Sequence, residues 1–483
     1  MDDLALLVED YLTGLDDDVL ITDSARSYTR CEFADKVADY ARRLDALWSQ
    51  QAARPRGVAI LLDRGADYLA VIFACWRANG YYLPLSRSSP SASIDTQMRA
   101  AGVSVLCELN NEAVVCRATD SVELPPSARN IVKPGDSELA YVIFTSGSTG
   151  EKKGVAISRS SFVAYAKGVK TVFAKYFKAR SVIINGELTF DITLADFAFA
   201  LIFRTEICIT SQAANLLSLC AMVKRRGVQS IYAVPSTWDK ILDLAERIND
   251  LSFRGVQNIF SGGEVLSERL VQRMRAMCPD AVIFNMYGPT EFTVNAFYHE
   301  ITRRTGSDES EEQAVALGRA FPGIAIRIAN PISKDEGELY LSGTQMMAGY
   351  VNADAPFVMV GDTSYYPTGD LVRRDENGIV HYVGRLRDYE KVSGYRINLL
   401  SIEDNIRLAV NENIKLLILD GKIVCVVEGV DIVEQASVRD RIGSYAAINL
   451  EIYEAPSRTV FVDKLPLNAS GKLDRQAILN LIA

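Results

Sequence analysis

Residues 141–154, YVIFTSGSTGEKKG, place a run of glycines and small hydroxyl residues between an apolar stretch and two lysines. Glycines let a loop turn so that successive backbone N–H groups converge on an anion; hydroxyls add donors and lysines add charge. Thr145, Ser146, Gly147, Ser148, Thr149 and Gly150, followed by Lys152 and Lys153, therefore have the composition of a cradle for a nucleotide's triphosphate tail. The spacing is not that of the G-x-x-x-x-G-K-[ST] loop. A Ser/Gly turn joining two elements would have the same composition, so the segment alone decides nothing.

Further segments carry complementary chemistry. Residues 285–291 read NMYGPTE. There Tyr287 offers a flat face for a base, Asn285 an amide for base edges, and Thr290 a hydroxyl. Glu291 offers an oxygen to Mg²⁺, an ion that takes few protein carboxylates beside substrate phosphates. In residues 366–371, YPTGDL, Asp370 beside Gly369 could hold two vicinal ribose hydroxyls, or serve as a turn residue. Residues 384–398, GRLRDYEKVSGYRIN, crowd charges onto a short connector, and in LPLNASGKLDR, residues 465–475, Lys472 follows Ser-Gly in an exposed loop. Residues 189–194 read TFDITL. A buried Asp191 would need a partner, and a substrate ammonium is one; a helix N-cap is the competing role.

These groups need a scaffold. Residues 32–47 and 66–79 carry apolar side chains at helical spacing, with Gly80 placed to stop the second helix. Short apolar runs at 57–62, 103–107, 182–185, 208–210, 230–234, 259–260 and 282–285 read as buried strands with helices between them. That alternation predicts parallel sheets covered by helices, an α/β fold. After Tyr287 the texture changes: residues 303–314 are polar and charged, and strand-like runs follow at 324–328, 337–342 and 379–383. Runs 414–419 and 422–428 predict a hairpin across Asp420-Gly421. The boundary falls near 385–388, giving a core of residues 1–384 and a C-terminal domain of 385–483. No internal repeat or low-complexity tract is present.

Composition excludes several functions. The 483 residues carry a net charge of −9, which argues against a general nucleic-acid binder. Eight cysteines without a C-x-x-C pair, and only two histidines, argue against a Cys/His zinc site. Scattered single cysteines suit a reducing compartment. The acidic N-terminus lacks the basic region of a signal peptide. No apolar run reaches the ~18–20 residues of a membrane span. A cytoplasmic protein without membrane or nucleic-acid partners is expected.

Taken in order, TSGSTGEKKG, NMYGPTE, GELYLSG, YPTGDL, GRLRDYEKVSGYR and LPLNASGKLDR resemble the acyl-adenylate-forming superfamily. Within it the sequence is most similar to amino-acid adenylation domains of nonribosomal peptide synthetases and to stand-alone D-alanine–carrier-protein ligases. The resemblance implies a large N-terminal region of two α/β sheets plus a small β-barrel, with a small mobile α+β C-terminal domain. It implies ATP and Mg²⁺. Thr145 to Gly150 and Lys153 would bind the triphosphate. Gly263, Glu264, Asn285 and Tyr287, with Tyr382, would hold adenine. Thr290 would meet the α-phosphate, and Glu291 would help bind Mg²⁺. Asp370 and Arg385 would grip the ribose. Lys472 would bridge the substrate carboxylate and the α-phosphate, and Lys391 would enter in the second half-reaction. The hinge falls on Arg387, where relatives often have Asp, and Asp388. Lys152 stands where many relatives have Pro, and Ser470 where Asn is usual.

By the same resemblance, Asp191 would bind an amino acid's α-ammonium. Ile192, Ala195, Ala233, Phe260, Gly262, Met286, Val294 and Asn295 would line its side-chain pocket. The small residues imply a deep pocket, the apolar ones a largely greasy one, and Asn295 one hydrogen bond. D-Alanine is disfavoured, because relatives specific for it carry Cys where Gly262 stands. The implied reaction makes an aminoacyl-AMP and releases pyrophosphate. The acyl group then passes to the phosphopantetheine thiol of a carrier protein. Only 11 residues follow Lys472, so that carrier is expected to be a separate protein. An acyl- or aryl-CoA ligase and an amide-forming ligase share the first step. Lys472, Asp370 and Glu291 together argue against a catalytically silent relative.

Overall fold

The computed structural model describes residues 3–14, 17–51, 55–111, 113–119, 138–146, 152–211, 215–248, 252–302, 314–333, 335–386, 389–392, 395–419, 422–450, 455–466 and 474–482. Two units divide the chain. One comprises Met1–Asp335, Leu339–Thr368 and Arg373–Tyr382; the other comprises Glu336–Glu338, Gly369–Val372 and Val383–Ala483.

The first unit contains two large sheets. The nine-stranded sheet runs, in spatial order, Arg319–Ala320, Phe297–Ile301, Val282–Tyr287, Asn258–Gly262, Ser230–Ala233, Ser181–Ile184, Glu206–Ile209, Val19–Thr22 and Ser27–Thr29. The six strands from Val282–Tyr287 to Val19–Thr22 are parallel, and antiparallel strands flank them. Parallel strands covered on both faces must be apolar on both, which is why SVII and IYA read as uninterrupted runs. One face packs an aromatic group in which Phe173 meets Phe260 and Phe284 edge-on, at 5.3 and 4.9 Å between ring centroids. The other face packs a separate cluster around Trp238, Leu242 and Val271.

The seven-stranded sheet runs Gly349–Tyr350, Lys152–Ser158, Leu139–Ser146, Tyr81–Pro84, Gly57–Leu61, Val105–Asn110 and Ala113–Ala118. Helix Arg30–Ser49 begins with a capping box, Thr29 and Glu32 each bonding the other's backbone. The helix expected at 66–79 spans Ala66–Arg77. Its stop differs from expectation by one residue. Asn79, not Gly80, takes the left-handed conformation, with φ 54°. The Gly80 N–H closes the turn on the Cys75 carbonyl at 2.8 Å, and a Cβ on Gly80 would sit 2.6 Å from Trp48.

A five-stranded sheet occupies the place of the expected small barrel: Ala325–Ser333, Glu336–Ser342, Thr363–Arg374 and Val358–Val360 in order, with Val380–Arg385 paired to Thr363–Arg374. In the second unit, Ile414–Leu419 and Lys422–Glu428 form the expected antiparallel pair, with Arg458–Val462 parallel to the latter. Asp420 and Gly421 lie outside the described residues, as do residues 303–313. Helices Leu399–Val410 and Gln435–Asn449 supply Ile402, Ile406, Val438 and Ile442 to that unit's core.

Two further differences stand out. Asp3–Leu12, read only as an acidic terminus, is a helix that buries Leu4, Val8 and Tyr11. Cys107 and Cys116, expected as single cysteines, face each other across Val105–Asn110 and Ala113–Ala118 and form a disulfide; the other six are in no disulfide. Among the described residues, no helix is long and apolar enough to cross a membrane.

Candidate active site

The expected phosphate segment is a hairpin. Leu139–Ser146 and Lys152–Ser158 pair antiparallel, with Thr145 opposite Lys153 and Ser146 opposite Lys152. Thr145 and Ser146 thus end one strand, and both lysines begin the return strand. Gly147, Ser148, Thr149 and Gly150 lie outside the described residues. Asn352 clamps the return strand, accepting from the Gly154 N–H at 2.9 Å and donating to the Lys152 carbonyl at 2.8 Å. Gly154 must be glycine, because a Cβ there would press on Val351 at 2.5 Å and Phe144 at 2.8 Å.

Strand Gly349–Tyr350 lies against Lys152–Ser158 and carries the hairpin's chemistry toward the NMYGPTE segment. The Lys153 ammonium sits 5.3 Å from the centre of the Tyr350 ring, and the Tyr350 hydroxyl donates to Glu291 Oε1 at 2.8 Å. Burial, then the Glu291 charge, push the Tyr350 and Tyr366 phenols far above their ordinary range, so both stay protonated donors. Tyr350 was missed from sequence: an aromatic after glycine in MMAGY carries no distinguishing spacing.

Asp191 stands at the N-terminus of helix Ile192–Phe203 in helical conformation, and its side chain makes no capping bond. The N-cap role is therefore not taken. Its Oδ2 is buried and has no hydrogen-bond partner among the described residues. Burial raises its carboxyl to about 6; the nearby Thr290 hydroxyl favours the charged form, and the Glu291 charge opposes it. The structure thus brings Asp191, Thr290, Glu291, Tyr350 and Lys153 into one connected cluster.

Beyond Glu291 the chain is strained. Thr293 and Val294 have φ of 54° and 67°, a region that β-branched residues rarely enter. The surrounding bonds over-determine this turn. The Thr293 hydroxyl donates to the Gln345 carbonyl, and Gln345 Nε2 donates to the Asn295 carbonyl at 3.0 Å. The Ala296 N–H donates to the Tyr287 carbonyl at 2.7 Å. Val294, Met286, Phe260 and Ala195 are all buried in one core cluster, with Ile192 half-buried against it. Ala233 instead belongs to the cluster on the opposite face of the sheet. Gly262 is pressed against Met286, its register partner, whose carbonyl a Cβ would strike. Asn295 spends both ends of its amide, accepting from Tyr165 and donating to Tyr232, each at 2.9 Å.

Four of the groups assigned to the base lie at the ends of two strands, and the fifth, Tyr382, on a third. Gly263 has φ 85°. Glu264 is exposed and accepts from the Ser236 N–H and hydroxyl, both at 2.9 Å, at the start of helix Pro235–Arg247. Asn285 is buried and donates to the Ala316 carbonyl at 2.8 Å. Tyr287 meets Phe297 edge-on at 5.9 Å, and Tyr382 is half-buried on Val380–Arg385. In the second unit, buried Asp370 pairs with Arg385 at 2.8 Å. Lys391 lies on strand Tyr389–Val392. Arg387, Asp388 and Lys472 fall outside the described residues.

The chain belongs to the AMP-binding enzyme family, whose model matches residues 11–351. That family comprises adenylating ligases that use ATP. The chain is 28% identical over 480 residues to the dapdiamide synthesis protein DdaD of Enterobacter agglomerans, covering 95% of this chain and 78% of that protein. It is 26% identical over 509 residues to tyrocidine synthase 3 of Brevibacillus parabrevis, covering 98% of this chain but only 7% of that protein. The crystal structure of IdnL7 shares the fold, with a TM-score of 0.73 at 22% identity over 99% of this chain and 98% of that one.

Proposed function

We propose that the protein activates an amino acid with ATP, forming an aminoacyl-AMP and pyrophosphate. The observation that carries this reading is the Asp191 carboxylate, buried with Oδ2 unpartnered beside Thr290 and Glu291. An α-ammonium is the group that satisfies it: the charge pair replaces the water that burial removed. An acid without an amine would leave it unpaired.

In this reading a carboxylate oxygen of the substrate attacks the α-phosphorus, and the bond from that phosphorus to the pyrophosphate oxygen breaks. Lys153 and residues 145–150 hold the leaving phosphates. Thr290 donates to the α-phosphate. Lys472 offsets the charge that builds between the two reactants. Mg²⁺ would neutralise the departing pyrophosphate. A single carboxylate fits that ion, which takes few protein ligands beside substrate phosphates: Glu291, whose Oε1 accepts from Tyr350, and no cluster of three acidic or His/Cys ligands exists among the described residues. Gly263, Glu264, Asn285, Tyr287 and Tyr382 would receive adenine, and Asp370 with Arg385 the ribose. The acyl group would then pass to the phosphopantetheine thiol of a carrier protein, with Lys391 brought in about a hinge at Arg387 and Asp388. The related synthetases, of which this chain spans a small part, support that second step.

The test is exchange of labelled pyrophosphate into ATP across amino acids and simple acids. The reading expects one amino acid to drive exchange and Asp191→Ala to abolish it. Exchange driven by an acid lacking an amine, and surviving Asp191→Ala, would instead indicate a CoA ligase.

A further inference from the structure

Gly262 opens a gap on the inner face of the nine-stranded sheet, and Tyr232 fills it. A Cβ on Gly262 would lie 2.8 Å from the Tyr232 hydroxyl. Tyr232 and Phe260 are register partners on adjacent parallel strands, so their side chains rise from the same face, with ring centroids 6.1 Å apart. The depth that small residues suggested in the sequence is thus occupied by a phenol.

That phenol ends a directed chain of hydrogen bonds. Tyr165 spends its hydroxyl proton on Asn295 Oδ1 at 2.9 Å. Asn295 spends an amide proton on the Tyr232 oxygen at 2.9 Å. The Tyr232 proton has no acceptor among the described residues, although the residue is 4% exposed. Burial holds the phenol well above its ordinary range; the Asn295 bond opposes this, and the Asp191 and Asp196 charges add to it. The hydroxyl is therefore a neutral, desolvated donor. A buried donor without an acceptor is costly, and an incoming acceptor recovers that cost.

We propose that Tyr232 is a specificity-determining residue, whose hydroxyl, braced by Asn295 and Tyr165, floors the side-chain pocket and donates to a short substrate side chain ending in a neutral oxygen. The inference rests on Asp191 holding the α-ammonium. The ring sets the length, since it takes the room Gly262 leaves. The donor sets the chemistry, since an apolar end would leave it unpaired. Burial sets the charge, since an ionised end would be desolvated against a 4% exposed phenol for a single hydrogen bond. A hydroxyl or carboxamide meets all three conditions.

The experiment is pyrophosphate exchange with matched pairs: serine against alanine, threonine against valine, asparagine against leucine. Wild type is expected to favour the oxygen-bearing member of at least one pair. Tyr232→Phe should cut that preference in kcat/KM by about 10-fold or more, leaving the KM for ATP unchanged. Tyr232→Ala should open the floor and raise exchange with larger apolar amino acids by about 10-fold. Tyr165→Phe, one bond further out, should give a smaller loss of preference. An unchanged profile in Tyr232→Phe and Tyr232→Ala, with ATP still shifting their melting temperatures, overturns the assignment. So does a wild type that prefers the apolar members. Failure of the underlying reading is separate: wild type would respond to no amino acid while another carboxylic acid drove exchange.

Discussion

Asp191 is the residue where folding and function pull apart. Its carboxyl titrates near 6, above the unfolded value, because burial disfavours the charge. The folded state therefore holds the proton to higher pH than the unfolded chain. The stability this confers is fully present below the unfolded value and is lost as pH rises through about 6. At neutral pH the free protein carries a buried charge that costs about 1–3 kcal/mol. Asp191→Asn should consequently melt a few degrees higher than wild type without ligands; a lower melting temperature would contradict this. The same substitution should raise the KM for the amino acid about 100-fold or more, by removing the partner of a desolvated ammonium. In wild type, binding needs the ionised form, so that KM should climb as pH falls below about 6, as steady-state exchange between pH 5 and 8 would show.

At the scale of elements, segment 345–352 holds the site together. Gln345 ties down the strained turn at Thr293 and Val294, Tyr350 reaches Glu291, and Asn352 clamps the hairpin at Gly154. Asn352→Ala removes two backbone clamps at an exposed position. It should raise the KM for ATP about 3–10-fold while the KM for the amino acid stays put. Equal shifts in both would mean that Asn352 supports the fold at large. Apolar runs in the sequence marked strands on either side of this segment, at 337–342 and 379–383. They did not expose the clamps: MMAGY has no period, and its value comes from pairing with Lys152–Ser158, almost 200 positions earlier. The left-handed backbone at Val294 was equally invisible, since only tertiary bonds hold a β-branched residue there.

For the molecule as a whole, alternation of apolar runs gave the α/β architecture, and six ordered motifs gave the family. What stayed hidden depends on which face a strand presents. Tyr232 and Ala233 are adjacent in sequence, yet they pack into different cores on opposite sides of one sheet. The disulfide was hidden for a similar reason: Cys107 and Cys116 stand nine positions apart, and only the hairpin register sets them opposite each other. Thiol titration of the denatured protein should count six reactive cysteines before reduction and eight after it. Eight at the outset would contradict the pairing.

The most direct measurement is amino-acid-dependent pyrophosphate exchange by the wild type beside Asp191→Asn and Lys472→Ala. Exchange driven by one amino acid, lost in both variants while ATP still raises their melting temperatures, is the predicted result. Exchange that persists in Asp191→Asn with the same amino acid would contradict the claim that this buried carboxylate is the substrate's anchor.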